Sequence, residues 1–169
     1  DVWTDYKTNN LQLTTNHKRS QIKNPKYFSK FKEEIIGAKI VSGTRRAKNV
    51  LIHLSNNKTI LVHMKMTGHI LYGKYTKTKA KKDPWKPTEV GPLQDPFNRF
   101  IHLVFSLSNG KHLVLSDMRK FAKVTLINTK ELETTSELSH LGPEPLEKAF
   151  TAKILYKRLS KKPNGKIKQ

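Results

Sequence analysis

The apolar positions of this chain change period several times, and each change marks an element. Residues 2–7 alternate apolar and polar and predict a strand. From Asn24 the period lengthens. Asn24 suits a helix N-cap, Pro25 suits the first helical position, and Phe28, Phe31, Ile35 and Ile36 recur near helical spacing until Gly37 stops the run. The period then returns to two. AKIVSGTRR (38–46), KNVLIHLS (48–55) and TILVHMKM (59–66) predict three strands, with SNNK turning the chain between the second and third, and HILYGKY (69–75) predicts a fourth. Residues 76–96 are rich in Lys and Pro and carry no apolar period, so they predict a long, basic, mobile loop. Residues 99–117 predict a hairpin turning at Asn109-Gly110, and residues 120–128 a further strand. HLGPEPL (140–146) predicts a rigid turn before a second helix, from about Glu147 to Leu159. Many short antiparallel strands and few helices give a mainly β fold with flanking helices, a sandwich or a barrel. No internal repeat is visible.

Composition narrows this picture. With 169 residues the chain suits one domain with a sizeable core. It carries 33 Lys and Arg against 13 Asp and Glu, a net charge of +20. That balance favours a polyanionic partner, most often nucleic acid, because neutralised phosphates release their counterions. The plain alternative is a lysine-rich protein with a solvated basic surface. There is no cysteine, which excludes disulfides and Cys-ligated zinc within these residues. No apolar run reaches membrane-spanning length, and no signal-peptide pattern opens the chain.

Candidate chemistry is sparse. Nucleophile-elbow, Walker A and H-E-x-x-H motifs are absent. Glu33 and Glu34 fall on a helix surface, where solvated carboxylates are expected, and Asp117, at a strand end before Arg119, suits a turn cap or a buried ion pair. His63, Met64, Met66 and His69 raise the question of a soft metal such as Cu(I). Residues in a strand alternate faces, however, so Met64 and Met66 share one face and His63 and Lys65 the other, and the Lys65 cation opposes a metal beside it. TRRAKNV and SDMRKFAKV place Arg45, Arg46, Lys48, Arg119, Lys120 and Phe121 at turns. Arginine beside an exposed aromatic or methionine suits phosphate contact with insertion between bases. The competing reading is a solvated turn anchored by one Phe.

Taken in order, RRAKNVLIHL, VHMKMTGHI, a hairpin ending in LSDMRKFAKV, HLGPEPL and GKIKQ resemble the formamidopyrimidine-DNA glycosylase family. That family's pattern runs R-R-[GA]-K-Y-L-L, H-L-G-M-S-G, D-P-R-[RK]-F-G, L-G-P-E-P-L and I-K. The resemblance implies a two-layer antiparallel β-sandwich with flanking helices over 1–159. It makes 160–169 a basic linker towards a helix-two-turns-helix module and a four-cysteine zinc finger. It implies a bifunctional glycosylase and AP lyase that excises oxidised purines from duplex DNA, with no cofactor in this chain and a structural zinc in the zinc finger beyond it. The family's nucleophile is the amine of an N-terminal proline, with an adjacent glutamate as acid. An α-amine titrates at about 7.7 to 8.0, far below a lysine side chain, so more of it is free base to attack C1′.

Residue by residue, the resemblance implies that Lys48 lies at the lesion's sugar-phosphate and serves the elimination. It implies that Met66, Arg119 and Phe121 form the wedge entering the duplex, and that His63 lies near the DNA backbone. Lys162 matches a phosphate-contacting tail lysine. There are departures. Lys65 stands in place of Gly, Met64 of Leu, Met118 of Pro and Ala122 of Gly, and Phe100 occupies the place of a histidine that contacts DNA. No proline-glutamate pair opens the chain, so truncation at both ends and inactivity of these residues alone are expected. The parent is expected to be a cytoplasmic, nucleoid-associated bacterial monomer on double-stranded DNA. Keeping Met66, Arg119 and Phe121 together favours the oxidised-purine branch over the endonuclease VIII branch. A non-catalytic damaged-DNA-binding module and an RNA-binding β-barrel are the rival readings.

Overall fold

The computed structural model describes residues 12–15, 25–80, 83–161 and 163–165. The strand expected at 2–7 lies outside these residues. Chain contacts divide into two compact units, residues 1–133 and residues 134–169.

The first unit is a two-layer antiparallel β-sandwich, as the sequence predicts. One sheet has the order β10-β4-β3-β2, from Lys123–Asn128, Lys58–His63, Asn49–Leu54 and Ile40–Arg46. The other has the order β1-β8-β9-β5, from Gln12–Thr15, Ile101–Ser106, His112–Asp117 and Gly68–Gly73. Strand β1 is an element that the sequence pattern missed.

Period-two alternation sends one set of side chains between the sheets. Val50, Ile52 and Leu54 of β3, Ile60 and Val62 of β4, and Phe105, Leu113 and Leu115 from the facing sheet share one core. Helix α1, Pro25–Ile35, adds Phe28, Phe31 and Ile35 from a single face. Gly37 at φ 77° ends it in the left-handed region. Each fully buried aliphatic side chain, such as Ile52 or Ile60, contributes about 1.5–3 kcal/mol. Glu34 is not simply solvated. Its carboxylate meets Lys58 Nζ at 2.9 Å, and that contact holds its pKa below the ordinary value.

The loop expected over 76–96 contains structure. Strands β6 (Tyr75–Lys77) and β7 (Trp85–Pro87) pair, and 3₁₀ turns follow at Pro92–Gln94 and Pro96–Arg99. Tyr75 and Trp85 are buried with Ile101, Val104 and Val114, so this segment forms a second core on the outer face of the β8-β9 sheet. Two aromatics far apart in sequence drive the burial, which no local period reveals. A bulge between Ile101 and Leu103 lets Ile101 join that outer core while Leu103 packs against the inner one. At the β8–β9 turn only Gly110 takes positive φ, 75°, and its N–H donates to Leu107 O at 3.1 Å.

The second unit holds helix α2, Ala152–Leu159. It starts later than the expected Glu147 because residues 144–150 are used in turns, with Glu147 N donating to Glu144 O and Phe150 N to Glu147 O. Thr151 then caps the helix by accepting from Ile154 N. Among the described residues no helix is long and apolar enough to cross a membrane.

Candidate nucleic-acid interface

Strand β4 does not run to Met66 as its alternation suggests. It stops at His63, and Lys65 takes φ 55°, which turns the chain. Lys65 N donates to His63 Nδ1 at 3.0 Å, and Gly68 N donates to Met64 O at 3.1 Å. A methyl group at Gly68 would stand 2.5 Å from Met64 O and 3.0 Å from Ala122 Cβ, so only glycine allows this approach. The two methionines therefore diverge instead of sharing a face. Met64 packs against the sandwich core, while Met66 is 76% exposed.

A second loop meets this turn. Strand β9 ends at Asp117, which is only 1% exposed. Its Oδ1 accepts from the Thr67 hydroxyl and from Arg119 N at 3.1 Å, and its Oδ2 accepts from Ala122 N at 2.8 Å. Its carbonyl accepts from His102 Nε2 at 2.7 Å. Burial pushes the Asp117 carboxyl up, but hydrogen bonds from Thr67 and from the N–H groups of Ala122, Arg119 and Phe121 together outweigh burial and hold it below its ordinary pKa. Of the two roles the sequence allowed, Asp117 is the turn cap. It also bridges two loops, which the sequence did not indicate.

That bridge produces a cluster. Arg119 Nη1 donates to Met66 Sδ at 3.4 Å, and its guanidinium carbon lies 5.0 Å from the centre of the Phe121 ring. Phe121 is 55% exposed, so a solvated turn with Phe121 anchoring the core does not describe it. Methionine, arginine and phenylalanine from two loops form one outward-facing patch. A flexible thioether and an aromatic ring can fill a gap between stacked bases, and a guanidinium can bond base edges or phosphates.

Lys48 and His63 form a second group. Ala47, at φ 51°, turns the chain between β2 and β3, with Arg45 Nη1 donating to its carbonyl at 3.1 Å, and Lys48 is exposed beside it. In register, Asn49 of β3 pairs with His63 of β4, which pairs with Lys123 of β10. Burial first, then the charges of Lys65, Lys48 and Lys123, lower the His63 pKa and favour its neutral form. Three ammonium groups around one neutral imidazole suit an anion. Asn49 is 2% exposed and its Oδ1 has no hydrogen-bond partner among the described residues. Lys65 belongs to the turn that carries Met66 and its charge acts on His63, so it adjoins both groups.

Lys162 lies outside the described residues. Sequence reasoning missed Thr67, His102 and Lys123. Thr67 and Lys123 lie inside the blocks VHMKMTGHI and LSDMRKFAKV, and His102 lies in the hairpin strand before the second block. Among the described residues, no group of three or more His, Cys, Asp and Glu is placed to hold a metal.

The sequence profile of the formamidopyrimidine-DNA glycosylase N-terminal domain matches residues 7–124. The chain belongs to this family. The formamidopyrimidine-DNA glycosylase of Pelotomaculum thermopropionicum is 37% identical over 134 residues, which is 79% of this chain and 42% of that protein. That of Herpetosiphon aurantiacus is 35% identical over 132 residues, covering 78% and 41% respectively. The chain thus spans about two fifths of the length of the curated relatives it matches. A Lactococcus lactis Fpg in complex with DNA containing an abasic site superposes with a TM-score of 0.67 at 21% identity, covering 92% of this chain and 50% of that one. The same organism's enzyme with FAPY-dG DNA gives 0.64 at 22%, covering 94% and 51%. These likenesses show that the sandwich is the formamidopyrimidine-DNA glycosylase N-terminal fold. The blocks carrying Lys48, His63, Met66, Arg119 and Phe121 all fall inside the matched span.

Proposed function

We propose that this chain is the β-sandwich part of a base-excision repair enzyme. The whole protein is a DNA glycosylase and AP lyase that removes oxidised purines, 8-oxoguanine and formamidopyrimidines, from double-stranded DNA as a monomer. One observation carries the reading: Met66, Arg119 and Phe121, from two loops, converge into a single exposed cluster. Extruding a damaged nucleotide costs roughly a few kcal/mol of lost stacking and pairing. Met66 would occupy the vacated space, Phe121 would stack on a neighbouring base, and Arg119 would bond the orphaned partner.

Lys48, Lys65 and Lys123, around His63, would hold the backbone at the lesion. Attack of an amine on C1′ displaces the base and leaves an iminium. That acidifies C2′–H, and loss of this proton breaks the C3′–O bond to the phosphate. Lys48 would serve this elimination as a proton-transferring amine. The proline amine and glutamate implied by the family resemblance are not at Asp1-Val2. A structural zinc in the family's four-cysteine finger would lie outside these cysteine-free residues.

The test is duplex binding. The 169-residue chain should bind a duplex holding a tetrahydrofuran abasic-site analogue more tightly than the undamaged duplex. Replacing Met66, Arg119 and Phe121 together by Ala should remove that preference. Equal affinity of the unaltered chain for both duplexes, or better affinity for structured RNA, overturns the reading. Borohydride treatment on an 8-oxoguanine duplex should trap the parent and leave the 169-residue chain untrapped. A parent that binds damage without trapping is a non-catalytic damage-binding module. One that excises oxidised pyrimidines instead belongs with the endonuclease VIII branch.

A further inference from the structure

Asp117 has an arginine-over-phenylalanine pair on each side. On one side Arg119 lies over Phe121 at 5.0 Å. On the other, the Arg99 guanidinium carbon lies 4.8 Å from the centre of the Phe100 ring. Asp117 connects the two pairs: its own N–H donates to Phe100 O at 2.9 Å, while its carboxylate accepts from Arg119 N. The second pair lies outside the wedge motifs.

The segment carrying Arg99 is rigidly placed. Asp95 caps the 3₁₀ turn Pro96–Arg99 by accepting from Phe97 N at 2.8 Å. Asn98 Nδ2 donates to Pro92 O at 2.9 Å, which turns Asn98 Oδ1 towards His69, whose Nε2 donates to it at 2.8 Å. The Nδ1 of the same histidine lies 3.1 Å from Thr67 O, in the turn that presents Met66. Ser116 Oγ donates to Phe97 O. Both wedge loops are therefore braced against this segment, and Arg99 rides on it, exposed and without an ion pair among the described residues.

A guanidinium held over a ring has its rotation restricted and its fork of donors directed outward. With no carboxylate to neutralise it, that fork fits the two non-bridging oxygens of a phosphodiester. We propose that Arg99 is a phosphodiester contact on the flank of the wedge, forming with Phe100 a second arginine–aromatic clamp on the duplex. This rests on the DNA-binding reading above. Its chemistry differs from that of Arg119: a phosphate contact adds affinity without sequence or lesion preference.

Arg99→Gln and Arg99→Lys separate the possibilities. In the 169-residue chain, Arg99→Gln should weaken binding to damaged and undamaged duplexes by the same factor. It should also reduce the slope of log affinity against log salt by about 0.9. Arg99→Lys should keep the salt slope but lose part of the affinity, because the charge remains and the fork does not. Thermal midpoints should be unchanged in both. Unaltered affinity and slope in Arg99→Gln overturn the proposal while leaving the DNA reading standing. An unaltered chain that binds no duplex overturns both. Loss confined to the damaged duplex would make Arg99 part of the wedge and also overturns it.

Discussion

Met66 Sδ and Arg119 Nη1 stand 3.4 Å apart although 53 residues separate them in sequence. Neither side chain supports the core, since both are exposed. Their meeting is organised from beneath by Asp117, which binds the backbone of one loop and the Thr67 hydroxyl of the other. A buried scaffold carrying an exposed cluster gives predictions that separate stability from binding.

Met66→Ala should leave the unfolding free energy within about 0.5 kcal/mol of the unaltered chain, because it removes a side chain from a largely exposed position. Affinity for an abasic-site duplex should fall, and affinity for the undamaged duplex should stay. Parallel denaturant unfolding and fluorescence anisotropy check this. A large loss of stability would show that Met66 packs in solution.

Asp117→Asn should act the opposite way. The amide cannot accept from all the donors now facing the carboxylate, so about 2–3 kcal/mol of stability should be lost. The pH dependence has a definite sign. The folded pKa lies below the ordinary value of about 3.9, so the carboxylate's contribution is complete above that pH and is lost as the pH falls through the folded value. Acid titration of stability should therefore be shallower in the variant. An unchanged titration would contradict the assignment.

Gly68→Ala tests the tight turn. Its methyl would press on Met64 O and Ala122 Cβ, neither of which is the end of a flexible side chain. A loss of about 1–3 kcal/mol is expected, together with loss of lesion preference as the turn carrying Met66 shifts. Wild-type behaviour in both measurements would show that the two loops tolerate separation.

Histidines set the behaviour just below neutral pH. Burial holds His53, His63 and His112 below the ordinary value of about 6.5. Their neutral forms contribute stability that is complete above that pH and declines as the pH falls. For His63, a proton on Nδ1 also ends its acceptance from Lys65 N. His63→Gln should make the decline between pH 7 and roughly 5 shallower without abolishing it, since His53 and His112 remain. A decline of the same steepness would place the His63 proton elsewhere.

Lys65→Gly isolates a departure from the family pattern. A non-glycine residue at φ 55° costs roughly 1–2 kcal/mol, but glycine loses more backbone freedom on folding, so net stability should change by less than about 1 kcal/mol. Duplex affinity should weaken, with a salt slope lower by about 0.9, if Lys65 meets a phosphate. No change in slope would leave Lys65 as a turn residue only.

Local patterns determined much of this protein without its structure. Helix α1, the strands of both sheets apart from β1 and the Asn109-Gly110 turn follow from spacings within a few residues, the basic character follows from composition, and the resemblance to the family's motifs implied Met66, Arg119 and Phe121 as one set. Tertiary structure alone decided the rest. Trp85 turned an apparent loop into a second core, because its burial depends on Val104 and Val114 rather than on its neighbours. Lys65 ended a strand whose alternation ran on, and so sent Met64 inward and Met66 outward. Asp117 gathered the Met66–Arg119–Phe121 cluster and the Arg99 segment through bonds to Thr67, Arg119, Ala122 and Phe100. Periodicity reports which face of an element is apolar. It carries no information about which distant loop a buried carboxylate will satisfy, because the cost of leaving that charge unpartnered is settled only when the sheets have packed.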